Sequence, residues 1–127
     1  MARPRQPGLT ARENQLMEII WQLDQSTVED IQGALPQKLA GSTIRTLLGI
    51  MQTKGYIEIS QQGKANLYRA RLSRQEAQTS ALEQVLQRFF QGSADLLLAR
   101  LVEDERIDPD ELERLGQSLK KQQEDQP

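Results

Sequence analysis

Apolar residues recur along this chain at two different periods, and the change of period divides it. Leu16, Ile19, Ile20 and Leu23 follow at i, i+3, i+4 and i+7, the stripe of an amphipathic helix. Thr10 stands before that stripe with Glu13 three residues later, a capping box in which hydroxyl and carboxylate each satisfy a free amide at the helix start. A second helix is predicted from Ser26 or Thr27, with Glu29 and Asp30 at the positive end of its dipole and Val28, Ile31 and Leu35 turned inward, stopped by Pro36. After the loop 37–41, Ser42 or Thr43 is expected to cap a third helix that buries Ile44, Leu47, Leu48 and Met51 and ends at Gly55. Its other face carries Ser42, Thr43, Arg45, Thr46, Gly49 and Gln52, which are small, polar or cationic and can approach another surface closely.

From Tyr56 the period drops to two. Tyr56-Ile57-Glu58-Ile59-Ser60 alternates, Gln61-Gln62-Gly63-Lys64 supplies turn chemistry, and residues 65–71 return as a second strand. The result is a β-hairpin with an exposed basic tip, which must lean on the helices through Ile57 and Ile59 because an isolated hairpin is marginal in water. At Ser73 a second capping box, with Glu76, opens a helix whose apolar residues are Ala81, Leu82, Val85, Leu86, Phe89 and Phe90. Gly92-Ser93 breaks it, and Ser93 caps a helix with Ala94, Leu97, Leu98, Leu101 and Val102. Asp108-Pro109-Asp110-Glu111 then starts a last helix with Leu112, Leu115 and Leu119 on one side. The reading is mainly α with a small β-hairpin wing. It comprises a flexible arm at 1–8, a winged helix-turn-helix domain at 9–72, a helical dimerisation region at 73–121 and a disordered tail at 122–127.

In a winged helix the third helix enters the major groove and the hairpin touches the backbone nearby. Arg45 suits bidentate contact with guanine, and Ser42, Thr43 and Thr46 lie on the same polar face, the threonines able to bond base edges or pack on a thymine methyl. Lys54, Lys64 and Arg69 read as phosphate neutralisers, which give affinity without sequence information. The C-terminal helices would leave Leu and Phe in water unless a partner covered them. A symmetric dimer through Leu82, Leu86, Phe89, Phe90, Leu97, Leu98, Leu101, Leu112 and Leu115 does so, and sets two recognition helices for half-sites ~34 Å apart or a multiple of that. The alternative is a single monomeric core spanning both halves.

Composition narrows the chemistry. At 127 residues the chain has room for one domain, or one small domain with an oligomerising appendage. It has no cysteine and no histidine, which removes disulfides, zinc sites with N or S ligands, thiol catalysis and imidazole bases. An enzyme is not expected, nor any cofactor or metal. Asp108, Asp110 and Glu111 are accounted for as cap and dipole residues, although a hard-cation site on Glu103, Asp104, Asp108 and Asp110 is conceivable by composition. The net charge of −2 hides an asymmetry: residues 1–74 carry ten Lys/Arg against six acids, and the remainder is net acidic. A basic half joined to an acidic half fits a DNA-facing module beside a solvated partner module, although two ordinary solvated surfaces would look the same. There is no apolar run of ~18 residues and no apolar stretch behind Arg3 and Arg5, so a cytoplasmic protein without a membrane partner is expected. Those two arginines either reach a minor groove or belong to a disordered terminus.

The segments Leu9-Thr10-Ala11-Arg12-Glu13-Asn14-Gln15-Leu16-Met17-Glu18-Ile19-Ile20-Trp21, Ser42-Thr43-Ile44-Arg45-Thr46-Leu47-Leu48, Lys54-Gly55-Tyr56-Ile57, Gly63-Lys64-Ala65-Asn66-Leu67-Tyr68-Arg69-Ala70, Phe89-Phe90-Gln91-Gly92-Ser93 and Pro109-Asp110-Glu111-Leu112-Glu113-Arg114-Leu115 together resemble the penicillinase repressor family of BlaI and MecI, with the CopY copper repressors as relatives. The resemblance covers Leu9 to about Lys121. It implies a dimeric winged-helix repressor with interlocked C-terminal helices, bound to an inverted-repeat double-stranded operator with TACA/TGTA-like cores. By position, Ser42, Thr43 and Thr46 fall where the family reads the major groove, Arg45 lies on the same surface, and Lys64 sits at the wing tip. Antibiotic-resistance members are induced by cleavage at an Asn-Phe bond in the dimerisation region. The corresponding stretch here is Leu98-Ala99-Arg100-Leu101-Val102, without that bond, and the cysteine pairs of the copper-responsive relatives are absent. The protease or effector that would release the protein is therefore unidentified. Gly49 stands where the family carries a larger residue, at a cost of about 1 kcal/mol in helix propensity. The alternative to operator binding is a winged-helix module that binds protein and not DNA.

Overall fold

The computed structural model describes residues 8–125, so Arg3, Arg5 and the rest of the N-terminal arm up to Pro7 lie outside the described residues, as do Gln126 and Pro127. Helix α1 (Ala11–Leu23), α2 (Val28–Ala34) and α3 (Gly41–Thr53) precede the hairpin β1 (Ile57–Gln62) and β2 (Ala65–Ala70), and α4 (Arg74–Phe89), α5 (Ala94–Glu103) and α6 (Pro109–Glu124) follow. A mainly helical chain with one antiparallel hairpin wing after the third helix is the winged-helix layout expected. The chain divides into two compact units, one through Ala81 and one from Leu82, so the division falls inside α4 and not at its start.

Local start signals act as read. The Thr10 hydroxyl accepts from the Glu13 amide and the Glu13 carboxylate from the Thr10 amide, at 3.1 and 2.9 Å. Thr27, not Ser26, caps α2, and its box is closed by Asp30 in both directions. Ser73 and Glu76 close a third box, Ser93 caps α5, and Asp108 caps α6 with proline just inside. The cap of α3 differs from expectation: the helix begins at least two residues earlier, at Gly41, and its cap position is Ala40, whose methyl cannot accept from the first amides. The hairpin turn is tighter than expected as well. Gln61 and Gln62 belong to β1, where they pair with Asn66 and Ala65, and only Gly63 and Lys64 connect the strands. Gly63 has φ +63 at the first position of this two-residue connection, the place a type II′ turn reserves for glycine.

The core lies entirely in the first unit. Leu16, Met17 and Ile20 of α1, Ile31 of α2, and Ile44, Leu48 and Met51 of α3 are fully buried, and Tyr56, Ile57 and Tyr68 close the cluster from the hairpin side. β2 packs on α1 and α2, and β1 on α3. Ser26 adds one rung to the sheet: its amide donates to the Tyr68 carbonyl at 3.0 Å and its carbonyl accepts from the Tyr68 amide at 2.8 Å, which pins the wing to the α1–α2 connection. Trp21 donates its indole N–H to the Leu72 carbonyl at 2.8 Å. The Arg74 guanidinium lies over the Trp21 ring and pairs with Glu18 at 2.8 Å, so the chain leaving the wing is held against α1.

None of α4, α5 and α6 buries a residue as fully as the first unit's core does. α6 runs on to Glu124, past the point where the tail was expected to lose structure.

Candidate nucleic-acid interface

Helix α3 sorts its residues by chemistry as its period demands. With Ile44, Leu48 and Met51 buried and Leu47 half-buried, its solvent side presents Ser42, Thr43, Arg45, Thr46, Gly49, Ile50, Gln52 and Thr53. The Thr46 hydroxyl donates to the Ser42 carbonyl at 3.0 Å and the Thr53 hydroxyl to the Gly49 carbonyl at 3.1 Å. Each hydroxyl proton is thereby engaged inside the helix, and what these threonines offer outward is an acceptor and a methyl. Ile50, 45% exposed and one turn beyond Thr46, is an apolar member of this face that the sequence reading did not single out, although the i, i+4 spacing from Thr46 carries the signal. A Cβ added to Gly49 would meet nothing within 4 Å, so no contact inside the chain requires glycine there.

The cations divide into three settings. Arg45 is exposed, and its guanidinium lies along the first turn of α3, with Nη1 3.3 Å from the point where a Cβ on Gly41 would stand. Lys64 is exposed at the wing tip, and Arg69 stands across the ladder from Glu58, whose charge faces it on the neighbouring strand. Lys54 is placed differently from a free phosphate ligand: its ammonium reaches the Glu13 carboxylate at 2.7 Å and lies over the Tyr56 ring at 5.9 Å. Glu13 is only 3% exposed. Burial pushes its carboxyl up, but the bonds from Lys54 and from the Thr10 amide and hydroxyl outweigh that and hold it below its ordinary value. The bond to Glu13 raises the Lys54 ammonium correspondingly, and burial raises the Tyr56 phenol. One carboxylate thus caps α1 and anchors the end of α3, a role that no local pattern in the sequence announces.

In the second unit the predicted apolar set is present on the surface. Phe89 is 75% exposed, Leu82, Leu98 and Leu115 are exposed, and Leu86, Phe90, Leu97, Leu101 and Leu112 are half-buried. Arg100 pairs with Glu103 and Asp104, and Asp108 is engaged as a helix cap. No group of acids among the described residues is arranged to hold a metal ion, and no described helix is long and apolar enough to cross a membrane.

Comparison with known proteins agrees with this architecture. The family model described as penicillinase repressor matches residues 9–121. A 16.5 kDa protein from the ptsI 3′ region of Latilactobacillus sakei is 26% identical over 113 residues, covering 87% of this chain and 77% of that protein. The methicillin resistance regulatory protein MecI of Mammaliicoccus sciuri and that of Staphylococcus aureus are each 25% identical over 117 residues, covering 89% of this chain and 94% of theirs.

Proposed function

This chain belongs to the penicillinase repressor family, and on that premise we propose that it is a homodimeric, sequence-specific DNA-binding repressor of transcription that occludes a promoter at an inverted-repeat operator. The observation that carries the reading is the outer face of α3, which joins hydroxyls, one free guanidinium and a bare glycine on a helix whose other side is locked into the core. Arg45 takes a guanine edge, Thr43 and Thr46 contact base edges or thymine methyls, and Ser42 lies at the entry of the same helix. Lys64, and more weakly Arg69, neutralise backbone phosphates from the wing. Lys54 acts through the fold: tied to Glu13, it fixes the end of α3.

Dimerisation rests on the unpaired apolar surface of α4, α5 and α6. Three helices with no fully buried residue need a second copy to remove Phe89, Leu82, Leu98 and Leu115 from water, and a two-fold axis presents two copies of α3 to one operator. The net charge of −2 and the exposed Ile50 favour a second reading, a winged-helix module whose α3 face binds protein.

Fluorescence anisotropy of the full-length protein against genomic duplex fragments at two salt concentrations, followed by sequencing of the bound pool, separates the two. An inverted repeat with half-sites about one duplex turn apart, bound with a steep salt dependence, is the expected result. Weak binding without selection at low salt would leave the protein-binding reading in its place.

A further inference from the structure

Resting on the DNA-binding reading, we infer that Arg12 is a phosphate ligand, pre-oriented by two glutamine side chains to grip the duplex backbone beside the half-site read by α3. Arg12 sits in the first turn of α1, at the positive end of the helix dipole, where a cation is electrostatically unfavourable. No carboxylate among the described residues pairs with it. Instead its Nη1 donates to Gln15 Oε1 at 2.9 Å and to Gln37 Oε1 at 2.8 Å, and Gln15 Nε2 donates to the same Gln37 oxygen at 3.3 Å. These bonds use both hydrogens of one terminal nitrogen and neutralise no charge. The Nε–H and the two Nη2 hydrogens have no partner among the described residues, and that edge of a guanidinium is a planar fork matched to two oxygens of a phosphate.

The neighbourhood supports the same occupant. Gln37 opens the loop 37–40 that leads into α3, and the loop is held by Gln32, whose Nε2 donates to the Leu39 carbonyl at 2.9 Å. The loop contains Lys38 and no acid. Arg12 meets it at Gln37, and the Arg45 guanidinium lies where it enters α3, at Gly41. Three cations therefore border one short, tethered loop next to the recognition helix, with no acid in it to balance them. A duplex backbone is the polyanion that fits, because Arg45, on the face of α3 proposed to read the bases, borders the same short segment and one duplex can be held by both.

The test compares the full-length wild type with Arg12→Gln, Arg12→Lys and Gln37→Leu on fluorescein-labelled duplexes of several unrelated sequences over a salt series. Arg12→Gln is expected to weaken every duplex by the same factor, about tenfold at low salt, and to reduce the salt slope by about 0.9, one phosphate. Arg12→Lys should recover the slope but only part of the affinity, since a point charge lacks the fork. Gln37→Leu should keep the wild-type slope with a smaller loss, because the charge remains and only its orientation is freed. Circular dichroism melts coinciding with wild type would show that the fold is not what changed; a lowered melt in Arg12→Gln would transfer the test to Gln37→Leu and Arg12→Lys. Wild-type affinity and slope in Arg12→Gln, or a loss confined to particular sequences, would overturn the assignment and leave the operator-binding reading standing. Absence of duplex binding by the wild type itself would instead overturn that reading, and this role with it.

Discussion

Through Ala81 the chain closes a core of its own, from Leu16 to Tyr68, whereas from Leu82 onward the chain leaves Leu82 at 48% and Phe89 at 75% exposure. Both regions are built from capped amphipathic helices, so amphipathicity alone does not explain the difference. In the first unit the helices are joined by short connections and covered by a hairpin, and the extra rung at Ser26 binds that hairpin to the α1–α2 link. In the second, no strand or loop returns to cover the apolar side. One region buries its apolar side chains within the protomer; for the other, association is the proposed means of burying them.

The largest expected effect tests the second half of this contrast. Leu86→Asp places a charge in a surface that, in the proposed dimer, occurs twice, and the loss of a buried Leu at about 1.5–3 kcal/mol per protomer is doubled by symmetry. Analytical ultracentrifugation is expected to show a monomer, with the inverted repeat no longer bound cooperatively and the first unit still melting as a folded domain. A variant that sediments as the wild type does, with unchanged helicity, would mean that α4 pairs with nothing. Leu48→Ala tests the first half. It should cost about 2–5 kcal/mol, and a thermal midpoint that shifts by the same amount at every protein concentration marks a core internal to the protomer. A concentration-dependent shift would assign that core to the assembly.

Smaller effects sharpen the account of how α3 is held. Lys54→Met leaves the buried Glu13 carboxylate without its counter-ion, held only by Thr10, at a cost of about 1–3 kcal/mol. Because the Glu13 carboxyl is held below its unfolded value, its contribution is complete at neutral pH, begins to fall as the pH drops through about 4.3, the unfolded value, and is gone below its folded value. The stability gap between wild type and Glu13→Gln in urea titrations should therefore narrow as the pH falls from 7 to 3. A gap that is flat with pH would mean that the Glu13 carboxyl titrates alike in the folded and the unfolded protein, so that folding does not lower it. The smallest change in stability is expected from Gly49→Ala, which should raise it by up to about 1 kcal/mol, since the new Cβ meets open space. On the operator reading the same methyl stands between α3 and the bases, so higher stability should come with weaker operator binding in anisotropy. Unchanged binding would make Gly49 a tolerated defect of the helix.

Signals that operate over three or four residues were legible in advance. The capping boxes at Thr10 and Ser73, the caps at Ser93 and Asp108, the buried faces of α3 and of α1 and the existence of the hairpin follow from side chains acting on nearby backbone, except that in α1 Leu23, expected inside, is 42% exposed at the helix end and Met17 is buried. Even here the ends moved: α2 gained a box through Asp30, α3 took Ala40 as its cap, and Gln61 and Gln62 passed from turn to strand. Of the candidate contact residues, the α3 side chains were readable because helical period alone puts them outside. Lys54 was not, because its partner Glu13 is distant in sequence and already engaged at a local cap.

The sequence by itself determined where every helix but α3 begins, which helix faces are apolar, and that a two-residue-period hairpin follows the third helix, since each of these is decided within a few residues of backbone. Only the tertiary structure decided that Tyr56 and Tyr68 belong to the core, that Trp21 and Arg74 hold the exit of the wing against α1, and that Ser26 adds a rung to the sheet. It also decided which cations are bound within the fold and which are free. These outcomes depend on pairs brought together by chain closure, and a side chain's charge or area is committed only when that closure shows what stands opposite it.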